Sequence, residues 1–567
     1  MTELKTLFRH ASHYLGGRVA LMLLGFASFP VFTRVFSVSD YGAMSLVLKV
    51  LLLLTVLGKF GLQNSVQRFY AEEGASSDRN VSRRYYSTLF FGAAGTGLLF
   101  ALLFVLGVSL APAALVEARL KNLFLLVAVL IVVRSLQPTL IGFLRAEGKT
   151  KTYNAIEIAV KAATVLIACT LLLLWKRTLN VFFGSVIAVE VAGALALVWY
   201  LRRCGLIAWQ AVDWDYFRKA AVFAFPLIGY ELASVVLDSG DRLLVQHYMG
   251  SQPLGYYSAA YNVSTYVEEA LMVPINLALF PIYMKLWVEK GQQETQAFLS
   301  RSLNGFLALA VGVTCVVLLT SRDVIVVLAS SKFQDAYRLL PVLVIGLLIY
   351  AIHIFLNAAL LIYKKPATMT RLVVYACAVN ILLNMVLIPR IGLQGAAIAT
   401  LISYLFLVVV MGAVSFRLMP LQLSYIGFGG NLIAGAASFF IVRMMDFHHA
   451  WMNVVIKSLV ALAIYAVLVC LMNPAMRRAA LKLLNRGNTV KPVILSDPER
   501  PRFAGSVGES KSSRFAGVSE AGTRRRDPER SEGTALNSER SSSEISASGN
   551  SHDQPRLVHN GGRNTDD

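Results

Sequence analysis

The chain has 567 residues, of which 56% are hydrophobic and only 15% are charged, and its formal net charge is +20. Soluble proteins carry about 25% charged residues, so this composition excludes an ordinary soluble domain. The basic excess is better explained by a membrane protein than by a nucleic-acid-binding one, because basic residues hold loops on the cytoplasmic side of a membrane. We therefore expect no nucleic-acid partner.

Long apolar stretches run from about residue 14 to residue 473. About 20 apolar residues in a helix cross the hydrocarbon core of a bilayer, so the pattern predicts an all-α polytopic membrane protein with about 14 transmembrane helices. The seventh of these is the least regular, since Asp238, Asp241 and Arg242 interrupt its second half. The expected spans are 14–36, 41–66, 85–111, 122–144, 153–175, 179–201, 219–245, 255–281, 302–321, 337–362, 372–389, 393–415, 424–445 and 453–473.

Lys and Arg concentrate in alternate loops between these spans. Arg83 and Arg84 follow the second span, Lys149 follows the fourth, and Arg202 and Arg203 follow the sixth. By the positive-inside rule these loops are cytoplasmic, which predicts that both termini are cytoplasmic too. The first apolar stretch is too long for the core of a signal peptide, and no cleavage site stands out.

Similar segments recur in the two halves of the chain at nearly equal offsets. Gly42 and Gly255 are 213 residues apart in such segments, and Gly184 and Gly395 are 211 apart. This spacing favours a duplicated six-helix unit, a plan known among transporters. The expected domains are an N-terminal six-helix bundle (1–215), a C-terminal six-helix bundle (216–421), two extra transmembrane helices (422–475) and a cytoplasmic disordered tail (476–567).

No catalytic or nucleotide-binding motif is present. The chain lacks a P-loop, a GxSxG elbow and an HExxH helix, and its five cysteines are scattered without metal-ligand spacing. We expect a protein that is not an enzyme and that uses no cofactor and no metal. Transport would then run on an ion gradient or on the gradient of the substrate itself.

The charges inside the predicted spans are the strongest functional signal, because ionisable groups in a membrane are costly. The first half places Arg18, Lys49, Arg134 and Lys161 in spans. Glu157 lies one helical turn before Lys161, so these two can form a salt bridge. A cationic interior suits a phosphate or pyrophosphate group, although some of these charges could instead be structural ion pairs.

The second half is more acidic inside its predicted spans. Glu231, Asp238 and Asp241 lie in the seventh span, and Glu268 lies in the eighth. These carboxylates could bind Na⁺ or a proton for coupling, or could balance the basic first half.

Four tyrosines open the eighth span: Tyr256, Tyr257, Tyr261 and Tyr266. An interfacial aromatic belt is the simpler interpretation of this cluster. Stacking of the rings on sugars is the alternative.

Three segments resemble bacterial polysaccharide flippases of the multidrug/oligosaccharidyl-lipid/polysaccharide exporter superfamily. Residues 33–73 resemble the opening segment of these proteins, which typically contains the dipeptide YG, a later GL and the tripeptide RFY before a basic loop. Residues 240–264 (GDRLLVQHYMGSQPLGYYSAAYNVS) resemble the start of the family's second half. Residues 388–404 (IPRIGLQGAAIATLISY) resemble its late glycine- and alanine-rich segment and are the most specific of the three.

The resemblance implies a flippase that moves undecaprenyl-pyrophosphate-linked oligosaccharides across the plasma (cell inner) membrane for O-antigen, capsule or exopolysaccharide synthesis. It implies two six-helix bundles arranged in a V, with a cationic lumen that Arg18, Lys49, Arg134 and Lys161 could form. The implied partners are the lipid-linked substrate, membrane lipids and a periplasmic polysaccharide polymerase.

Three other functions stay open from the sequence. A peptidoglycan lipid-precursor flippase and a cation-coupled multidrug exporter belong to the same superfamily. A membrane-embedded glycosyltransferase or polymerase is disfavoured, because such enzymes usually need large outer loops or acidic catalytic pairs, and no outer loop here exceeds roughly 15 residues.

Overall fold

The structure is a computed structural model, and it describes residues 2–112, 116–473 and 477; the side chains of residues 2–15, Arg18 and Thr150 are outside this description. Within these ranges the chain forms helices and no strand, which confirms the predicted all-α fold class. The predicted tail falls almost entirely outside the described residues.

Sixteen α-helices follow one another in the described ranges. They are α1 (Thr2–Val35), α2 (Val38–Gly58), α3 (Leu62–Phe69), α4 (Arg79–Leu110), α5 (Ala118–Ala146), α6 (Thr150–Leu174), α7 (Leu179–Arg203), α8 (Trp214–Met249), α9 (Ser251–Ala329), α10 (Leu340–Ala351), α11 (His353–Ile362), α12 (Pro366–Ile391), α13 (Leu393–Leu418), α14 (Tyr425–Arg443), α15 (Ala450–Met452) and α16 (Ser458–Met472).

Twelve helical segments of the described chain are long and apolar enough to cross a membrane, with α10–α11 and α15–α16 each counted as one. The 79-residue α9 bends back at Gly291, whose φ of 77° lies in the left-handed region that favours glycine. It therefore consists of two arms, 251–290 and 292–329. Counting both arms, and adding the shorter apolar helix Val19–Val35, agrees with the predicted number of crossings.

The predicted seventh span is confirmed as a helix, and it runs unbroken through Asp238 and Arg242, whose charges both find partners inside the protein. One other stretch of the chain differs from the sequence-based expectation. Residues 282–301, expected to be a loop, are helical, and they extend both arms of α9 to the point where the arms meet at Gly291. Polar residues extend this helix, and Lys285 and Glu289 form an i,i+4 ion pair of 3.7 Å on it.

The connections between long helices lie alternately at two ends of the molecule. We call them the Ser37 end, where α1 meets α2 and α8 meets α9, and the Lys59 end, where α2 meets α3 and the two arms of α9 meet. Helices α1 and α2 of the first half contact α9 of the second half, and α2 also packs against α8. These contacts join the two halves of the chain.

The halves meet most closely at the Ser37 end. A Cβ atom at Gly42 would clash with the backbone carbonyl of Ser251, and one at Gly255 would clash with that of Val38. Lys332 adds a second contact there, since its Nζ donates to the carbonyls of Arg34 and Phe36, both at 2.9 Å. The Ser37 end is therefore closed.

Candidate functional site

A cavity of about 430 Å³ lies among α1, α2, α5, α6 and α7 of the first half, with α9 of the second half as its last wall. Most of its lining is apolar, with aromatic rings from α1, α2 and α7. Its charged and amide side chains come from four helices: Arg134, Gln137, Glu157, Lys161, Glu190 and Asn262. Such a chamber, apolar with a few convergent polar groups, is the usual form of a small-ligand site.

Arg134 is held in a forked ion pair. Its Nε and Nη2 atoms each donate to one carboxylate oxygen of Glu190, both at 2.8 Å. This planar two-bond arrangement is the same one in which arginine binds phosphate oxygens. Arg134 is thus neutralised in this conformation, yet it presents a fork that an anionic ligand could take over.

The predicted salt bridge between Glu157 and Lys161 is not formed, and this expectation was wrong. The two residues share a face of α6 and both line the cavity, but their charged atoms do not come within ion-pair distance, and among the described residues no carboxylate lies that close to Lys161. Lys161 instead points into the chamber beside the Arg134–Glu190 pair. Among the described side chains that line the cavity, Lys161 is therefore the cation without an ion-pair partner.

The other two predicted basic residues are placed differently. Lys49 does not line the cavity, because its Nζ donates to Asp238 of α8 at 3.2 Å. Arg18 lies on α1, and its side chain is outside the described residues. Two of the four predicted cations therefore line the chamber. Its described lining is balanced, with two basic and two acidic side chains.

A buried charge cluster lies beside Lys49. Asp241 and Arg242 are 0% and 1% exposed, and their side chains form an ion pair of 3.3 Å. The Arg242 guanidinium also donates to the carbonyl of Asp238 at 2.8 Å and stacks over the Tyr261 ring at 4.0 Å. With Lys49, the cluster holds two acids and two bases and is internally neutral.

The two tyrosines at the centre of the cluster, Tyr257 and Tyr261, form neither an interfacial aromatic belt nor a sugar-stacking surface. Tyr257 donates a hydrogen bond to Asp241. Tyr261 donates to Asp238 at 2.8 Å and shares a hydrogen bond of 3.0 Å with Tyr404. Both rings are buried, so they stabilise the carboxylates instead of facing the membrane interface or a sugar. Tyr266, by contrast, does line the cavity.

The four acids expected to bind a coupling ion fall into two groups. Asp238 and Asp241 are neutralised in the cluster, and Glu231 pairs with Lys59 and accepts from Gln63 at 3.3 Å. Glu268 differs, since no Lys or Arg of the described chain forms an ion pair with it.

Glu268 lines a separate cavity of about 320 Å³ between α9 and α11, together with His353 and Asn357. The Oδ1 atom of Asn357 is buried there without a hydrogen-bond partner. In the described ranges, no three His, Cys, Asp or Glu side chains are arranged to hold a metal ion.

Sequence reasoning missed Gln137 and Asn262 in the lining of the main cavity, and it named Tyr266 without its contact to α1. Gln137 follows Arg134 by one helical turn, so the i,i+3 spacing could have found it. Asn262 of α9 donates to the Tyr41 hydroxyl at 2.6 Å, and the Tyr266 hydroxyl donates to the carbonyl of Gly25 at 3.2 Å. No sequence pattern indicates these two contacts, because they join helices from opposite halves of the chain.

Comparison with known proteins identifies relatives in sequence. A family model described as "Polysaccharide biosynthesis protein" matches residues 7–287. The "Probable low-salt glycan biosynthesis flippase Agl15" of Haloferax volcanii is 24% identical over 186 residues. This alignment covers 31% of the chain and 39% of that relative, so the match spans about two fifths of the relative's length.

Solved structures share the fold at low sequence identity. The "Lipid II flippase MurJ, inward closed conformation" superposes with a TM-score of 0.67 at 14% identity, over 83% of this chain and 99% of that one. The "Inward-facing conformation of a multidrug resistance MATE family transporter of the MOP superfamily" superposes with a TM-score of 0.57 at 10% identity, over 70% of this chain and 94% of that one. These likenesses establish the helical architecture.

Proposed function

Because this chain belongs to the polysaccharide biosynthesis family within the multidrug/oligosaccharidyl-lipid/polysaccharide exporter superfamily, we propose that it is a flippase for lipid-linked glycans. The substrate would be an undecaprenyl-pyrophosphate-linked oligosaccharide, carried to the periplasmic leaflet of the inner membrane for surface polysaccharide synthesis. A periplasmic polymerase would then act on the product. The domains would be the two six-helix bundles 1–215 and 216–421.

The observation that carries this proposal is the chamber between the halves, with Lys161 free and Arg134 in a forked ion pair at its wall. A pyrophosphate is a dianionic or more highly charged group, and it offers Arg134 the same two-bond geometry as Glu190 does. We infer that Lys161 attracts the pyrophosphate and that Arg134 exchanges Glu190 for it. The lipid tail would remain in the bilayer.

The closed Ser37 end gives the direction of access. If the basic loops are cytoplasmic, the closed Ser37 end is periplasmic, and we infer that the chamber takes up its substrate from the cytoplasmic leaflet. Translocation then requires α1 and α2 to separate from α9 at Gly42 and Gly255, with closure at the Lys59 end. This sequence of states is alternating access between the halves.

A cation-coupled drug exporter is the weaker candidate. Such a function would need acids available to an ion, yet Glu231, Asp238 and Asp241 are all paired with Lys or Arg. Glu268 is the one predicted coupling residue that remains available, so we assign any proton or Na⁺ coupling to Glu268. A peptidoglycan-precursor flippase would use the same chamber and differs in being essential for growth unless duplicated.

A deletion strain tests the proposed function directly. We expect undecaprenyl-pyrophosphate oligosaccharide to accumulate in lipid extracts while surface polysaccharide disappears, because flipping precedes polymerisation. Unchanged lipid intermediates together with intact polymer would count against the proposal and favour the exporter. A chain that cannot be deleted without loss of viability would instead favour the peptidoglycan precursor as substrate.

Complementation of that strain tests the chamber. The double variant Arg134→Gln/Glu190→Gln removes both charges and preserves side-chain shape, so the protein should be present at normal level but should not restore polysaccharide. Lys161→Gln should fail likewise. Lys151→Gln, on the same helix but outside the cavity, is the matched control. Full restoration by the double variant would show that the Arg134–Glu190 pair is only structural.

A further inference from the structure

Two adjoining cavities lie at the Lys59 end, and no residue of either lines the candidate substrate chamber. The first, of about 590 Å³, is the more polar of the two, and its polar side chains are Asn80, Arg83, Arg84, Gln210 and Asp213. The second, of about 300 Å³, is almost wholly apolar, with walls from Phe91, Gly92, Gly95, Leu98, Trp209 and Phe217. Val212 and Trp214 line both cavities, so the two spaces lie side by side, and we call them together the paired cavity.

The walls of this paired cavity are held in place by specific contacts. The segment that connects α7 to α8 is pinned to α4 by two hydrogen bonds of 3.0 Å, from the Ala208 amide to Ser87 and from the Asp213 amide to Thr88. Phe91 and Trp209 pack edge to face with ring centroids 4.9 Å apart. The site is thus built before any ligand arrives.

The polar part carries one available cation. Arg84 is already paired with Glu73 at 3.2 Å and with Asp213 at 3.3 Å, which neutralises the carboxylate in the lining. Its Nε atom is buried without a hydrogen-bond partner. Arg83 is exposed and forms no ion pair within the described ranges. An anion placed here would meet Arg83 directly, with the amides of Asn80 and Gln210 beside it.

We propose that this paired cavity binds one anionic phospholipid. The phosphate would lie against Arg83 and Asn80, and the start of an acyl chain would fill the apolar part beside Gly95. Basic pockets between membrane helices on the cytoplasmic side recognise anionic headgroups, and the basic loops predict that side for the Lys59 end. Trp209 and Trp214, 67% and 70% exposed, suit the membrane interface. The lipid would contact the segment that joins the two halves of the chain.

A phospholipid is favoured over the glycan carrier lipid by one observation and one general argument. The polar part offers a single unpaired cation, which matches one phosphodiester rather than a pyrophosphate. Phospholipids also greatly outnumber any carrier lipid in a membrane, and occupancy follows concentration. The proposal does not depend on which glycan the protein moves.

The test is native mass spectrometry of the purified full-length chain titrated with phosphatidylglycerol or phosphatidylcholine. We expect one phosphatidylglycerol to be retained in preference to phosphatidylcholine. Arg83→Gln should weaken retention roughly tenfold, the size expected for one charge-assisted hydrogen bond. Gly95→Leu should abolish it, because nothing lies within 4 Å of a Cβ at Gly95, so that the leucine fills the slot without a clash.

Two matched variants control for folding and for general charge effects. Gly305 also has nothing within 4 Å of its Cβ position, and Arg371 is an exposed basic residue at the same end of the molecule. Gly305→Leu and Arg371→Gln should therefore retain the lipid. Equal retention in all four variants would overturn the proposal. So would an absence of headgroup preference, or a co-purified mass of a polyprenyl pyrophosphate that Arg83→Gln removes.

Discussion

Arg242 illustrates how a buried charge is tolerated in this protein. Its side chain is 1% exposed, and it contacts the Asp241 carboxylate, the Asp238 carbonyl and the Tyr261 ring. Loss of one partner of such a pair leaves the other buried and uncompensated, which costs about 3–5 kcal/mol. Arg242→Leu should therefore lower the thermal unfolding temperature and the amount of membrane-inserted protein, measured on the purified chain and by immunoblot.

The double variant Asp241→Asn/Arg242→Leu distinguishes this explanation from a simple packing defect. It removes both charges, so most of the lost stability should return. Arg338→Leu, at an exposed arginine, should have no effect. A double variant as unstable as the single one would contradict the charge-pair account.

At the scale of single residues, the sequence predicted which charges lie in the membrane but not their partners. Arg134 and Lys161 were predicted to face a lumen, and the structure places both at the cavity. The pairing of Lys161 was wrong, because helical spacing brings Glu157 to the same face without requiring contact. Glu190 is the partner of Arg134 because α5 packs against α7. This packing belongs to the tertiary structure and has no signal in the local sequence.

At the scale of elements, α2 is the helix that joins the two halves. Lys49 of α2 pairs with Asp238, and Lys59, directly after α2, pairs with Glu231, so two ion pairs connect this helix and its C-terminal cap to α8. Lys49 and Asp238 form the pair nearer the Ser37 end, and Lys59 and Glu231 form the pair nearer the Lys59 end. This order is the one expected for two antiparallel helices. The members of the pairs are 189 and 172 residues apart in the chain, a separation at which sequence alone indicates no pairing.

Close contact between α2 and α9 should control the closed Ser37 end. Gly42→Ala introduces a methyl group against the Ser251 carbonyl, so α2 and α9 must move apart there. In a cysteine-free background, Thr33→Cys should then react faster with a water-soluble maleimide, since Thr33 is 0% exposed in the closed form.

The control for this measurement is Gly107→Ala on α4, where nothing lies within 4 Å of the added methyl group. It should leave the labelling rate unchanged. If Gly42→Ala labels no faster than this control, the glycine contact does not hold the end closed.

At the scale of the whole molecule, orientation in the membrane decides which leaflet the chamber faces. Cys204 is the exposed free cysteine of the described chain, at the end of α7, while the other four are buried or half-buried. If the basic loops are cytoplasmic, an impermeant maleimide should label Cys204 in inverted membrane vesicles and not in intact cells.

Two variants support this measurement. Cys204→Ser should remove the signal, and Ser331→Cys, at the opposite end of the molecule, should label in intact cells. The reverse pattern would invert the predicted topology and place the closed Ser37 end at the cytoplasmic face.

The sequence by itself determined the class of protein, its family and its nearly complete helix order. These follow from local properties, since an apolar stretch of membrane length must form a helix wherever it sits. The tertiary structure alone decided which charges remain free, which end is closed and where a chamber opens. Those features depend on side chains from distant helices meeting in space: Lys49 is neutralised by Asp238, Gly42 packs on Ser251, and Lys161 stays unpaired only because of how α5, α6 and α7 surround it.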